Sequence, residues 1–141
     1  MQVRRVATTW SETVEEDGFL QNDPNGVSRF RVITKRTLTL GEGAAATLRV
    51  ERDETFETRV GAFRCKVKGD VPAVAAYAWQ AGDPEVRLTL PGASLPRTCD
   101  PPAFPVATKE LGASTMVLLL RSDRLIGKTS ARDRTVMLPL P

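Results

Sequence analysis

The sequence predicts an all-β protein, either an antiparallel β-sandwich or an up-and-down β-barrel of about eight strands with one long proline-rich connection. Three observations lead to this prediction. Apolar and polar residues alternate with a period of two along most of the chain, as in strands that bury one face. Short motifs rich in Gly, Pro, Asn and Asp separate the alternating runs. No segment carries a clear apolar stripe at helical spacing.

The alternation defines each strand in turn. It is clearest in FRVITKRTLTL at residues 30–40, where Phe30, Val32 and Leu38 share one face and charged residues or threonines occupy the other. The alanine-rich segment 71–80 is also assigned as a strand, because its aromatic residues lie two positions apart. The predicted strands, some of them fused by bulges, are residues 2–10, 13–20, 28–40, 45–52, 54–60, 62–68, 73–80, 85–90, 115–121, 124–128 and 134–139.

Turn motifs and prolines mark the boundaries. The motif NDPNG at 22–26 and the motif KGDVP at 68–72 predict turns between strands. The stretch 91–113 is expected to be a long irregular link that breaks the meander of hairpins. Prolines at 139 and 141 are typical of an edge strand, which favours a sandwich or an incompletely closed barrel.

Composition is that of a soluble globular protein. The chain has 141 residues, of which 41% are hydrophobic and 26% charged, and residues 1–141 are expected to form a single β domain. The net charge of +3, from 20 basic and 17 acidic residues, is too small to indicate a nucleic-acid partner. The chain has no histidine, which removes the commonest general base and metal ligand. The sequence therefore predicts no metal site, no cofactor and no enzymatic activity.

No apolar run approaches the 18 residues that suggest a transmembrane helix. The first residues, MQVRRVATTW, also lack the apolar core of a secretion signal. A prediction that the protein works outside the cytoplasm therefore assumes that a signal was removed or is absent from this sequence.

The two cysteines predict a disulfide. Cys65 lies on the core-facing side of its strand, and Cys99 lies in LPRTCDPPAFP at 95–105, where four prolines argue against regular structure. A bridge would close a loop of 34 residues, 99 minus 65, and would stabilise the fold by about 3.5–4 kcal/mol. A single bridge in a small β protein indicates an oxidising compartment. Two buried thiols in a cytosolic protein, or one reactive thiol, remain alternatives.

Aromatic side chains are candidates for lining a ligand cavity if the strands close into a barrel with an open mouth. The alternative is that they form an ordinary core. The pocket candidates are Trp10, Phe30, Phe56, Phe63, Tyr77 and Trp79.

A basic segment at 121–134 is the second candidate site. It could bind an acidic partner, or it could be the solvated face of a hairpin with paired charges. The candidate partner-surface residues are Arg121, Arg124, Lys128, Arg132 and Arg134.

These observations predict a non-catalytic domain of the periplasm, cell envelope or extracellular space, which binds an apolar small molecule or a protein. One alternative is a hydrolase that uses carboxylates such as Glu54, Glu57 or Asp70. Another is a cytosolic adaptor or inhibitor that binds its partner through the basic hairpin.

Overall fold

The computed structural model describes residues 9–24, 26–80, 83–100, 108–121, 124–127 and 136–139. Within these ranges every regular element is a β-strand, which confirms the all-β prediction. The strands are β1 (Thr9–Phe19), β2 (Val27–Leu40), β3 (Ala45–Thr58), β4 (Gly61–Gln80), β5 (Asp83–Leu90), β6 (Ala93–Asp100), β7 (Thr108–Leu111), β8 (Ser114–Arg121), β9 (Arg124–Gly127) and β10 (Val136–Pro139).

The pairing of these strands makes an antiparallel sheet that is nearly closed into a barrel. β1 pairs with β2, β2 with β3, β3 with β4 and β4 with β5, always antiparallel. The order continues from β5 to β8, from β8 to β9 and from β9 to β10, and β10 returns to β1. Among the described strands, the pairings therefore run round a closed ring, although the ladders beside β10 are short.

The predicted irregular link at 91–113 is wrong in one respect, because it contains β6 and β7. Glu85 of β5 pairs with Leu119 of β8, and Ala93 of β6 pairs with Leu111 of β7. Eight positions separate Glu85 from Ala93, and eight also separate their partners. The same register thus runs through both ladders. β5 with β6 forms one long interrupted strand, and β7 with β8 forms the next. The meander of hairpins continues through this region instead of breaking.

β4 is also continuous where a turn was predicted at 68–72. Val74 of β4 pairs with Thr89 of β5, and Val67 of β4 pairs with Arg97 of β6. The two β4 residues are seven positions apart, whereas their partners are eight positions apart. The extra residue indicates a β-bulge between β5 and β6. Gly69 belongs to this stretch, and a Cβ there would lie 2.6 Å from Leu95 Cδ2. The glycine therefore allows close packing inside the barrel, not a turn.

Two other predicted boundaries are absent. Residues 9–19 form the single strand β1 with no break near residue 12, while residues 2–8 lie outside the described part of the chain. Residues 45–58 likewise form one strand. The edge-strand interpretation of Pro139 is wrong, because β10 pairs with β1 through Pro139 and Trp10 and with β9 through Met137 and Leu125.

An apolar layer of fully buried side chains lies at the end of the barrel where β1 meets β10. Trp10 and four leucines from β2, β5, β8 and β9 are almost completely buried there. Burial of each such side chain contributes roughly 1.5–3 kcal/mol, so this layer is a major source of stability. The leucines are Leu38, Leu88, Leu118 and Leu125.

Candidate ligand-binding cavity

The inward-facing positions of neighbouring strands lie in rows across the barrel wall. Trp10 and Leu38 are register partners in the apolar layer described above. Two residues further along β1, Glu12 is the partner of Arg36, and two residues further again Val14 is the partner of Thr34. Because side chains on one face of a strand recur every second residue, the interior changes from apolar to charged within one step along β1.

A cavity of about 670 Å³ lies above the apolar layer. This volume is in the usual range for small-molecule sites. One side of the cavity is formed by aliphatic residues, namely Leu48, Val50, Val71, Leu90, Met116 and Leu118. The other side and the rim carry ionisable residues, namely Glu12, Glu16, Arg36, Arg52, Lys109 and Glu110. The cavity therefore combines apolar and charged surface.

A buried carboxylate organises the charged side. Glu54 accepts two hydrogen bonds from Arg97, from Nε to Oε1 at 2.7 Å and from Nη2 to Oε2 at 3.0 Å. Arg52 Nη2 donates to the same Oε2 at 3.0 Å. The side chains of Glu54 and Arg97 are 1% and 8% exposed, whereas that of Arg52 is 21% exposed. Charge-assisted bidentate bonds of this kind are strong and directional, so Arg97 and Glu54 hold each other in place.

Strand register explains why these three residues meet. Arg52 on β3 is the partner of Val67 on β4, and Val67 is the partner of Arg97 on β6. In the next row, Glu54 is the partner of Cys65, which is the partner of Cys99. Glu54 thus lies one row from both arginines. Strands β3, β4 and β6 together form this Glu54 cluster, which consists of Glu54, Arg52 and Arg97.

A second ion pair lies on the wall formed by β1 and β2, next to β3. Arg36 on β2 forms an ion pair with Glu12 on β1, whose side chain is almost completely buried. The two residues are register partners, so the pair follows directly from the antiparallel ladder. This wall therefore carries one positive and one negative charge in contact.

The rim beside β7 carries an exposed carboxylate with a shifted pKa. Ser94 Oγ donates a hydrogen bond to Glu110, and Thr108 Oγ1 donates another at 3.1 Å. These bonds favour the ionised form and lower the pKa of Glu110 below its usual value, the bond from Ser94 having the larger effect. Glu110 therefore remains a carboxylate at neutral pH and joins β7 to β6.

The disulfide prediction is supported by the geometry. Cys65 and Cys99 face each other across β4 and β6, and their sulfur atoms lie 2.09 Å apart. The bridge lies in the row next to Arg97, two residues away along β6. It therefore ties β6 to β4 beside the Glu54 cluster.

The predicted aromatic pocket residues do not gather around this cavity. Trp10 is buried in the apolar layer. Three of the others, Phe30, Phe56 and Phe63, are successive partners across β2, β3 and β4, and all are partly buried. Arg97 lies over the Phe56 ring, with Cζ 6.0 Å from its centroid. This aromatic row is therefore on the far side of the charged cluster from Trp10.

The remaining aromatic candidates lie near the end of β4. Tyr77 is 51% exposed, and Trp79 belongs to β4 by its backbone, with a side chain outside the described set. None of the described aromatic candidates lines the cavity. A role for them in ligand binding stays a prediction.

The basic segment is described only in part. Arg121 and Arg124 are register partners on β8 and β9, and the Arg124 side chain is exposed. Lys128, Arg132 and Arg134 lie outside the described residues. The partner-surface prediction for this segment therefore stays open.

The three carboxylates of the hydrolase alternative are not brought together. Glu54 faces the interior and is held by two arginines. Glu57 is exposed and lies on the opposite face of β3. Asp70 is exposed on β4, where Arg49 donates a hydrogen bond to it at 3.3 Å.

The charged cavity residues were missed at the sequence level, although a signal for them exists. Arg36 has the same parity as Val32 and Leu38, and Arg52 has the same parity as Val50. A charged residue at a core-facing position of an alternating strand indicates a polar interior.

None of the described segments is a helix long and apolar enough to cross a membrane. The described residues also bring together no group of three or more His, Cys, Asp or Glu side chains that could hold a metal ion. Comparison of the chain with protein-family models, with curated proteins and with solved structures finds no match.

Proposed function

We propose that this protein is a non-catalytic binding protein that holds a small molecule with substantial apolar surface inside its barrel. The observation that carries the proposal is the cavity of about 670 Å³ with an aliphatic side formed by β3, β4, β5 and β8. An apolar surface inside a concave site gains free energy when a ligand displaces water from it. The proposed ligand therefore lies against Val50, Leu90 and Met116.

We further propose that the protein works in an oxidising compartment outside the cytoplasm. The paired Cys65 and Cys99 support this location, because disulfides persist mainly in secreted, periplasmic or cell-surface proteins. In a reducing cytosol the same pair would be expected to stay reduced.

A cavity-filling substitution tests the proposed ligand site. Thr34 lines the cavity from β2, so a tryptophan there would occupy ligand space. We expect Thr34→Trp to weaken binding of the neutral fluorophore N-phenyl-1-naphthylamine at least tenfold, measured by fluorescence titration. Thr39→Trp makes the same change on the exposed face of β2 and is expected to bind as the wild type does.

The melting temperature and near-ultraviolet circular dichroism of both variants show whether each is folded. If the wild type does not bind the fluorophore, the cavity is not an apolar ligand site. Equal binding by the folded Thr34→Trp variant and the wild type would likewise contradict the proposal.

A further inference from the structure

The Glu54 cluster has more positive than negative charge. One carboxylate faces two guanidinium groups, and both of its oxygens are engaged by Arg97. Arg52 shares Oε2 with Arg97 and has no carboxylate of its own within the described residues. The cluster of Glu54, Arg52 and Arg97 therefore carries a net charge of +1, two positive groups minus one negative, at the cavity wall.

Arg52 is the member of the cluster that a ligand can reach. Its side chain is 21% exposed and lines the cavity, whereas Arg97 is 8% exposed and is not part of the lining. Only Nη2 of Arg52 donates to Glu54, and the buried Nε has no hydrogen-bond partner in the described part of the chain. A guanidinium has five N–H donors, so the exposed part of Arg52 keeps donors that Glu54 does not engage.

The nearby carboxylates do not neutralise Arg52. Glu12 on β1 forms an ion pair with Arg36 on the neighbouring strand β2. Glu110 accepts hydrogen bonds from Ser94 and Thr108 at the rim. Glu16 lines the rim but is exposed to water, which screens its charge. The surplus positive charge of the cluster therefore points into a cavity whose other side is aliphatic.

We propose that the cavity binds amphipathic monoanions such as alkyl carboxylates, with the anionic group on Arg52 and the alkyl chain against Leu48, Val50 and Met116. This inference rests on the proposed function and adds the chemical class of the ligand. An arginine can hold a carboxylate by two parallel hydrogen bonds, and the low polarity of the neighbouring wall strengthens such a contact.

Displacement of N-phenyl-1-naphthylamine by three dodecyl compounds tests the proposal. Dodecanoate, dodecylammonium and 1-dodecanol have the same chain and differ in the charge of the head group. Below their micelle concentrations, we expect dodecanoate to displace the fluorophore at least tenfold more effectively than dodecylammonium. Arg52→Met is expected to reduce this preference to within twofold, while Arg52→Lys keeps the charge and retains it.

Arg49→Met is the matched control, because it removes the same charge from the outer face of the same strand. Its preference for dodecanoate should be unchanged, which separates a local effect of Arg52 from the net charge of the protein. Retention of the preference in folded Arg52→Met, or its loss in Arg49→Met, would overturn the inference. Binding of the fluorophore without any preference among the three compounds would also overturn it and leave the proposed function standing. Failure of the wild type to bind the fluorophore would overturn both.

Discussion

At the scale of single residues, the unusual feature is a charged layer inside a small barrel. Removing a charge from water costs several kcal/mol, and the cost is offset only when the partner geometry is good. Glu54 meets this condition through Arg97, which binds both of its oxygens, and through Arg52. The interior pair Glu12 and Arg36 is held by the β1–β2 register. Each of these two buried carboxylates, Glu54 and Glu12, therefore has an arginine as its counterion.

The first prediction concerns this buried cluster. Glu54→Gln leaves Arg97 buried without its carboxylate, and we expect it to lower the free energy of unfolding by about 3–5 kcal/mol. Glu51→Gln is the matched change on the outer face of β3, where the pair with Arg49 is partly exposed to water, and should cost only about 0–1 kcal/mol. Equilibrium unfolding in urea measures both. Similar values for the two variants would mean that the Glu54 cluster does not contribute to stability.

At the scale of elements, the pairing of β4 with the long strand made of β5 and β6 determines where Leu95 and the disulfide lie. The bulge between β5 and β6 offsets the second half of that strand by one residue, which brings Leu95 against Gly69. Pro72 lies in the part of β4 that has no pairing with β5 or β6, so its missing N–H leaves no gap in those ladders. The disulfide then ties the far end of β6 to β4.

The second prediction concerns the disulfide. Replacement of both Cys65 and Cys99 by alanine is expected to lower the free energy of unfolding by about 3–4 kcal/mol, because the 34-residue separation is no longer closed in the unfolded chain. Urea unfolding of the variant and of the oxidised wild type measures the difference. Adding a reductant should lower the free energy of unfolding of the wild type and leave that of the double variant unchanged. Two free thiols in the denatured, unreduced wild type would contradict the bridge.

At the scale of the whole molecule, the barrel is built from sequential hairpins and closed by a short seam. β2 and β3 are paired along both edges for most of their length. β1 is paired along its full length with β2, but within the described part of the chain its other edge pairs with β10 only at Trp10 and Ser11. The cavity lies beside this seam, since Glu12, Val14 and Glu16 of β1 line it.

The third prediction follows from this uneven pairing. In native-state hydrogen exchange, we expect backbone amides of Leu48–Glu54 in β3 to be protected at least a hundredfold more than the least protected amides of Thr13–Phe19 in β1, because local opening of a strand paired along one edge is easier. Two-dimensional NMR resolves the two groups of amides. Equal protection throughout Thr13–Phe19 would mean that a further segment covers the open edge of β1.

Much of the architecture follows from the sequence by itself. The alternation of apolar and polar residues predicts strands, because the period of two is a local property of the extended backbone. The same alternation places Cys65 on an inner face, and the presence of only two cysteines leaves one possible intramolecular pairing. The all-β class and the Cys65–Cys99 contact were therefore predictable without knowledge of which strands are neighbours.

The tertiary structure alone decided which strands are continuous and which side chains lie opposite each other. Prolines at 91, 96, 101 and 102 suggest an irregular link, yet pairing resumes at Ala93 after Pro91, and Pro96 itself pairs with Thr108 of β7. Arg52, Glu54 and Arg97 meet because of strand register, and Arg97 is 43 residues from Glu54 along the chain. Local alternation states which face a side chain occupies. Only the long-range pairing of strands determines which side chains are neighbours on that face, and the cavity depends on this pairing.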